Sequence, residues 1–326
     1  MKNKFVKILV YLLLVVIVLI GGLLTYVKTM LPNVGPPPDL KVEITPEKLE
    51  RGRYLANHVN VCMDCHSTRD WSVFSGPLVP GTLGKGGEVF DEKLGFPGRF
   101  VAPNITPAGL KDWTDGELFR AITSGVNKNG KALFPIMPHP NFGKMDENDI
   151  HAIIAYIRSL APIENNVEAS VASFPMNFII NTIPKPAALT KMPSPSDQVA
   201  YGKYIVNAAS CNDCHTKQEK GKFVGEPFAG GFEFKFPDGT VVSSMNITPD
   251  PTGIGNWDKE TFISRFKMYT DSAYVPQKVK DGEFKTVMPW SMYAGMSTQD
   301  LEAIFAYLKT LKPVNNTVER FRTASM

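Results

Sequence analysis

All four cysteines of the chain stand in two five-residue stretches, Cys62-Met63-Asp64-Cys65-His66 and Cys211-Asn212-Asp213-Cys214-His215. Two thiols three residues apart, followed at once by an imidazole, have the spacing that attaches a c-type haem. Each thiol adds to one former vinyl group of the porphyrin, and the two intervening residues let the sulfurs reach adjacent pyrrole rings. The histidine then presents its imidazole to the iron. Other chemistries also use cysteine pairs. A zinc site could gather all four thiolates, but it leaves the two trailing histidines without a role. A thioredoxin-like dithiol needs a strand–helix setting, and neither pair has one in the sequence. With every cysteine consumed in thioethers, no disulfide remains. The reading is therefore two covalently attached haem c groups, held by Cys62, Cys65 and His66 and by Cys211, Cys214 and His215.

Haem attachment twice in one chain raises the question of a repeat. Gly52-Arg53-Tyr54-Leu55 recurs as Gly202-Lys203-Tyr204-Ile205, and Asn104-Ile105-Thr106-Pro107 recurs as Asn246-Ile247-Thr248-Pro249. Trp113 recurs as Trp257, and Met137-Pro138 as Met288-Pro289. The landmarks keep one order, and their changing offsets locate loop insertions. The expected organisation is a membrane anchor over 1–27, a proline-rich spacer over 28–40, a first repeat over 41–165, a linker over 166–193, a second repeat over 194–318 and a tail over 319–326.

Each repeat ends in an amphipathic helix. Ile150, Ile153, Ile154, Ile157 and Leu160 share a spacing with Leu301, Ile304, Phe305, Leu308 and Leu311, and that spacing lays one apolar stripe along a helix. Asp146 with Asp149, and Ser297 with Asp300, supply acceptors for the free amides at the helix start. At the front of each repeat, Thr45-Pro46 and Ser194-Pro195 read as an N-cap followed by a first-turn proline. Gly52 and Gly202 then fall inside helices, at a cost of about 1 kcal/mol against alanine, which implies close approach of another helix. Between front and closing helix run about eighty residues punctuated by glycine and proline, too much irregular chain for a small domain with nothing at its centre. A haem supplies that centre.

A sixth iron ligand is expected from each repeat. Methionine opposite histidine raises the iron potential. Met137 and Met288 match under the repeat, each in a Met-Pro pair on the loop before the closing helix. Met145 and Met296 match equally well but sit directly before the helix caps, where packing suits them better. His139, two residues from Met137, is the rival ligand in the first repeat, while His58 and His151 read as ordinary side chains. The iron-bound imidazoles need acceptors for their other nitrogen, and Pro77 and Pro227 lie where a following loop could return a carbonyl. Trp113 and Trp257 read as packing residues rather than electron relays, and the Asn-x-Thr triplets at Asn104 and Asn246 as structural turns.

The composition, with 43% hydrophobic and 21% charged residues in 326, is that of a globular protein. Residues 8–27, ILVYLLLVVIVLIGGLLTYV, carry no charge and as a helix span roughly 30 Å, the thickness of a bilayer core. Lys2, Lys4 and Lys7 precede them, which keeps the N-terminus in the cytoplasm and exports the rest. A signal peptide would have a shorter apolar region, about 7–15 residues, and a small-residue cleavage site. The net charge of +3 comes from that lysine cluster, leaving 32 basic and 32 acidic residues beyond it. Nucleic acid is thus not an expected partner. The segment Phe174-Pro175-Met176-Asn177-Phe178-Ile179-Ile180 in the linker is apolar and should pack on one of the domains.

The paired CxxCH motifs, Met-Pro pairs and closing helices together resemble class I c-type cytochromes present twice, as in dihaem cytochromes c of bacterial energy-conserving membranes. Asn246-Ile247-Thr248-Pro249 followed by Gly253-Ile254-Gly255-Asn256-Trp257, with the linker around Phe174-Pro175-Met176-Asn177, is similar to the cytochrome subunits of periplasmic alcohol and gluconate dehydrogenases. Those subunits generally carry three haems and a C-terminal membrane-binding segment, whereas this chain has two haem motifs and an N-terminal apolar segment. The resemblance implies a mainly α fold with two tandem class I cytochrome c domains, which here follow the N-terminal transmembrane helix read from residues 8–27. It implies an electron carrier on the outer face of the bacterial inner membrane, with Met137 and Met288 as sixth ligands. The expected partners are a dehydrogenase or quinol-oxidising complex on one side and an oxidase or another cytochrome on the other. A dihaem peroxidase with one reactive haem is the competing reading, and a haem-based sensor lacks an output domain.

Overall fold

The computed structural model describes residues 2–323, the side chains of residues 2 and 3 excepted; Met1 and the last three residues of the expected tail lie outside the described residues. A single apolar helix, Lys2–Thr29, opens the chain, long and apolar enough to cross a membrane and buried nowhere along its length. The remainder is mainly helical and carries its helices in two matching sets.

In each set a front helix crosses a closing helix. Pro46–Tyr54 packs on Glu147–Ser159, and Gln198–Ala208 packs on Thr298–Lys309. The two in-helix glycines sit at these crossings. A Cβ on Gly52 would lie 1.9 Å from the Ala152 carbonyl oxygen, and one on Gly202 1.9 Å from that of Ala303. Backbone meets backbone there, and only glycine permits it. Thr45 caps the first front helix by accepting from Lys48 N. The second front helix differs from expectation. It starts at Gln198 with Asp197 as its cap, because the Ser194 hydroxyl pairs with Ser196 and Ser194-Pro195 forms a turn ahead of the helix.

Short strands close each half. Val89–Phe90 pairs with Gly98–Val101, which pairs with Val171–Ala172; Glu233–Lys235 pairs with Val241–Ser243, which pairs with Phe321–Arg322. These pairings carry the repeat several residues beyond 165 and beyond 318.

The halves share one continuous apolar core, running from Val42 and Leu55 to Ile304 and Leu308. Their junction is reciprocal. The Tyr54 hydroxyl accepts from Ser297 N at 2.9 Å and donates to Asp300 Oδ2 at 2.5 Å. The Tyr204 hydroxyl accepts from Asp146 N at 3.0 Å and donates to Asp149 Oδ2 at 2.7 Å. Each front-helix tyrosine therefore caps the closing helix of the other half. Asp149 and Asp300 serve this junction instead of reaching back to their own helix starts, where Asp146 and Ser297 do the capping.

Candidate haem sites

Both CxxCH motifs begin on a backbone reversal. Val61 (φ 46°) and Ser210 (φ 56°) take the left-handed conformation directly before the short helices Cys62–Cys65 and Cys211–His215. Non-glycine residues adopt that region rarely, and it tends to persist where function requires a turn. All four cysteines are free thiols, three half-buried and Cys214 exposed. Desolvation by apolar neighbours pushes the Cys62 and Cys211 thiols up to about 12, so they stand as thiols rather than thiolates. Among the described residues no three His, Cys, Asp or Glu side chains converge on a metal-sized site, which leaves the four-thiolate zinc reading without a geometry.

The imidazoles are held in the same way twice. His66 Nδ1 donates to the Pro103 carbonyl at 2.7 Å, and His215 Nδ1 donates to the Met245 carbonyl at 2.8 Å. Burial lowers both histidine pKa values, against an upward pull from those carbonyls. Each ring is thereby fixed as the neutral tautomer with Nε2 bare, the state that ligates a metal, and its basicity is raised by the carbonyl. Thiols on one helical turn suit thioether bonds to a haem, and an imidazole locked with one nitrogen free suits its iron.

The acceptors differ from the expected Pro77 and Pro227. The Pro77 carbonyl is already engaged by Asp70 N. Pro103 and Met245 instead immediately precede Asn104 and Asn246, which gives the repeated Asn-Ile-Thr-Pro motif its purpose. Asn104 Oδ1 accepts from Thr106 N and Oγ1, and Asn246 Oδ1 accepts from Thr248 N and Oγ1. Their amides tie down to Ile163 O and Val314 O beyond the closing helices. The motif is a rigid turn that aims the preceding carbonyl at the histidine.

Sequence reasoning missed Gly86 and Gly230, which complete the clamp. Gly86 N donates to His66 O at 2.8 Å, and Gly230 N to His215 O at 2.7 Å. Both have positive φ, 71° and 76°. A Cβ on Gly86 would lie 2.5 Å from Pro103 C, and one on Gly230 2.6 Å from Met245 C. The peptide that holds the imidazole thus passes where a side chain would be. The signal was present in the repeat, since Gly86-Gly87 matches Gly230-Gly231 at the offset of the two tryptophans.

Met137 and Met288 pack on the core's edge and stay partly exposed, whereas Met145 and Met296 are fully buried at 0% and 1%. His139 is enclosed. It is 1% exposed, its Nε2 has no hydrogen-bond partner, and a Cβ on Gly125 would lie 2.4 Å from that atom. Burial holds its pKa down at about 4, the Leu133 backbone pulling weakly the other way. His58 Nδ1 bonds to the Met292 carbonyl of the other half, and His151 lies against Phe119 and Glu147. Trp113 and Trp257 pack against the core just ahead of the caps of Asp115–Ser124 and Lys259–Lys267.

The sequence family described as Cytochrome c matches residues 199–312, in the C-terminal half of the chain. Over 287 residues, 82% of this chain, it is 27% identical to the cytochrome c subunit of alcohol dehydrogenase (quinone) from Gluconacetobacter polyoxogenes, covering 56% of that protein. It is 26% identical to the gluconate 2-dehydrogenase cytochrome c subunit of Pantoea cypripedii, over 83% of this chain and 61% of the other. A diheme cytochrome c-type of Cereibacter sphaeroides is 26% identical over 48% of this chain and 53% of its own length. The chain is homologous to these subunits and spans little more than half the length of the first two.

Proposed function

We propose that the chain is a membrane-anchored dihaem c-type cytochrome that carries single electrons along the outer face of a bacterial inner membrane. It would take them from a dehydrogenase or a quinol-oxidising complex and pass them to an oxidase or another cytochrome. Two tandem class I cytochrome c domains bear the haems. Cys62, Cys65, His66 and Met137 hold the first, and Cys211, Cys214, His215 and Met288 hold the second.

One observation carries this reading: the clamp of imidazole, carbonyl and positive-φ glycine is built twice, at His66 and at His215, from matching positions. A haem bound by such residues supplies an iron that cycles between ferric and ferrous states, one electron at a time. The protein's own work is positional. The Pro103 and Met245 carbonyls keep the histidines neutral and aimed, and the thioethers prevent loss of the group. Met137 and Met288 lie open at the core edge, as a sixth ligand must, and thioether ligation raises the potential. The shared core and the reciprocal tyrosine caps fix the two sites relative to each other. The dehydrogenase as donor is supported by the relatives, which are cytochrome c subunits of such enzymes. The peroxidase alternative needs an open or displaceable sixth position, and the enclosure of His139 together with two matched Met-Pro pairs favours six-coordinate irons.

The test is a potentiometric titration of the full-length holoprotein followed by its optical spectrum. Two high-potential steps are expected, each oxidised haem showing the methionine–iron charge-transfer band. A haem without that band at low potential would overturn the symmetric ligand assignment.

A further inference from the structure

The apolar linker segment from Phe174 to Ile180 is placed between the first half and the long N-terminal helix. Its start is clamped to the first half. Val171 and Ala172 pair with Arg99 and Gly98, and Ser173 N donates to Pro97 O. The helix Met176–Ile179 and the turn after it then pack on the Lys2–Thr29 helix. Contact is made at that helix's C-terminal end, where the Lys28 ammonium lies 5.2 Å from the Phe178 ring centroid.

The outward face at this place is apolar and bare. Phe174, edge-to-face with Phe178 at 6.4 Å, is 81% exposed, and Ile179 is 45% exposed. At the same end of the long helix, Tyr26 in its last turn and Met30 one residue past it are 53% and 62% exposed. Scattered apolar residues on a surface are ordinary, but a group of them gathered from two chain segments is not. The charge pattern is one-sided. From residue 169 to residue 196 the chain has no acidic residue, and its charges there are Lys185, which is exposed, and Lys191.

We propose that Phe174 and Ile179, together with Tyr26 and Met30, form an interfacial membrane contact at the outer end of the spanning helix, with Lys28 and Lys185 on its anionic headgroups. The inference rests on the anchor reading above. An amphipathic contact of this kind sinks about 5–10 Å into the boundary of headgroups and acyl chains. Tyrosine and lysine at the end of an apolar helix mark that same level. Pure lipid is the fitting occupant because the patch adjoins a membrane-length helix and its own segment supplies lysines and no acid, Glu92 accepting from Ser173 Oγ at 3.0 Å at its edge. The clamp at Gly98 and Arg99 passes the constraint to the first half. The spacer adds a second tie, since a Cβ on Gly116 would lie 1.8 Å from Pro38 O and Val42 N donates to Asp115. The haem-bearing body is thus seated on the bilayer at a fixed tilt, with its first half at the membrane, instead of swinging on a tether.

The native cysteines are consumed by haem, so a single introduced cysteine can carry a nitroxide spin label. Phe174→Cys, Tyr26→Cys and the exposed second-half control Val275→Cys would be placed in full-length holoprotein, reconstituted in vesicles of phosphatidylcholine and phosphatidylglycerol. Collision with dissolved oxygen and with a water-soluble nickel chelate reads the depth of each label. The proposal expects labels at 26 and 174 to be shielded from nickel, the oxygen-to-nickel ratio at 174 rising several-fold over that at 275. A label at 174 open to nickel while that at 26 is shielded overturns the contact, leaves the anchor standing and points to a protein as the occupant. Labels open to nickel at both positions overturn the anchor reading and the contact with it.

Discussion

The first half stacks Phe134 on Phe100, ring centroids 4.1 Å apart, three residues before Met137. At the matching place, three residues before Met288, the second half puts Lys285 against Asp238, Nζ to Oδ2 at 2.8 Å, with both side chains 9% exposed. Asp238 also accepts from Gly282 N and from Thr240 N and Oγ1. An apolar stack is indifferent to pH. A buried ion pair holds a loop only while both charges persist, and its net stabilisation is small unless every lone pair is satisfied, as these are. The closing helices differ in the same spirit. Asp149 is gripped by Arg51 at 2.8 Å through both carboxylate oxygens, whereas Asp300 has only the hydroxyls of Tyr201 and Tyr54. A third contrast lies after the attachment histidines. Arg69 seals the first loop through Asp64, Ser75 O and Gly76 O and stacks over Trp71, and Phe74 N donates to Gln277 O of the other half. The second half has instead a hairpin, Gln218–Phe223, with Phe223 and Val224 bare. The haem clamp is thus duplicated faithfully while the parts around it have diverged. A clamp tolerates little change because backbone passes where a side chain at Gly86 or Gly230 would lie. Surrounding loops need only stay in place.

The comparison can be attacked first where the halves should be equal. Gly86→Val and Gly230→Val each force a β-branched residue into left-handed backbone and into the carbonyl-bearing peptide. Each should cost about 3 kcal/mol or more, read by thermal unfolding, and each should disturb the spectrum of its own haem alone. A harmless Gly230→Val would mean that the second clamp is not built like the first.

The acids of the closing helices should respond unequally. Asp149→Ala leaves the Arg51 cation without its partner and should cost about 3 kcal/mol. Asp300→Ala strands two hydroxyls and should cost about 2 kcal/mol. Denaturant titration ranks them, and equal losses would remove the distinction between ion pair and phenol pair.

Acid should separate the methionine loops. Burial pushes the Asp238 carboxyl up, but Lys285, Thr240 and Gly282 together hold it far below the usual carboxylate range. A depressed folded pKa gives stability that is complete above the unfolded value of about 3.9 and lost as pH falls toward the folded one. Below about pH 4 the methionine–iron band of the second haem should fade before that of the first. In Asp238→Asn that difference in acid response should vanish.

The smallest effects belong to the exposed pairs on the outer strands, Arg99–Glu168 and Arg322–Glu233, each at 2.5 Å. Arg99→Ala and Arg322→Ala should each change stability by less than about 1 kcal/mol, and less still in salt. A large effect at one of them would show that its strand closes that half more firmly than the other.

Much of this was legible in the chain. The helix crossings followed from Gly52 and Gly202, because a glycine retained inside a helix implies a neighbour too close for a Cβ. The closing helices followed from their apolar stripes. The choice between Met137 and Met145 rested on position alone. The histidine acceptors were illegible, because thirty or more residues of loop separate His66 from Pro103 and His215 from Met245. No local rule says which carbonyl such a loop returns. The start of the second front helix was misread because two serines could bond each other as readily as a helix amide.

The sequence by itself determined the two Cys-x-x-Cys-His motifs that point to haem, the repeated landmarks and the apolar N-terminal helix, since these depend on residue types at short, fixed spacing. Tertiary structure alone decided the reciprocal tyrosine caps, the single core shared by both halves, the carbonyls behind the histidines and the seat of the Phe174 segment on the long helix. Those are contacts between residues tens to hundreds of positions apart. They are chosen by how whole surfaces fit, which no local propensity encodes.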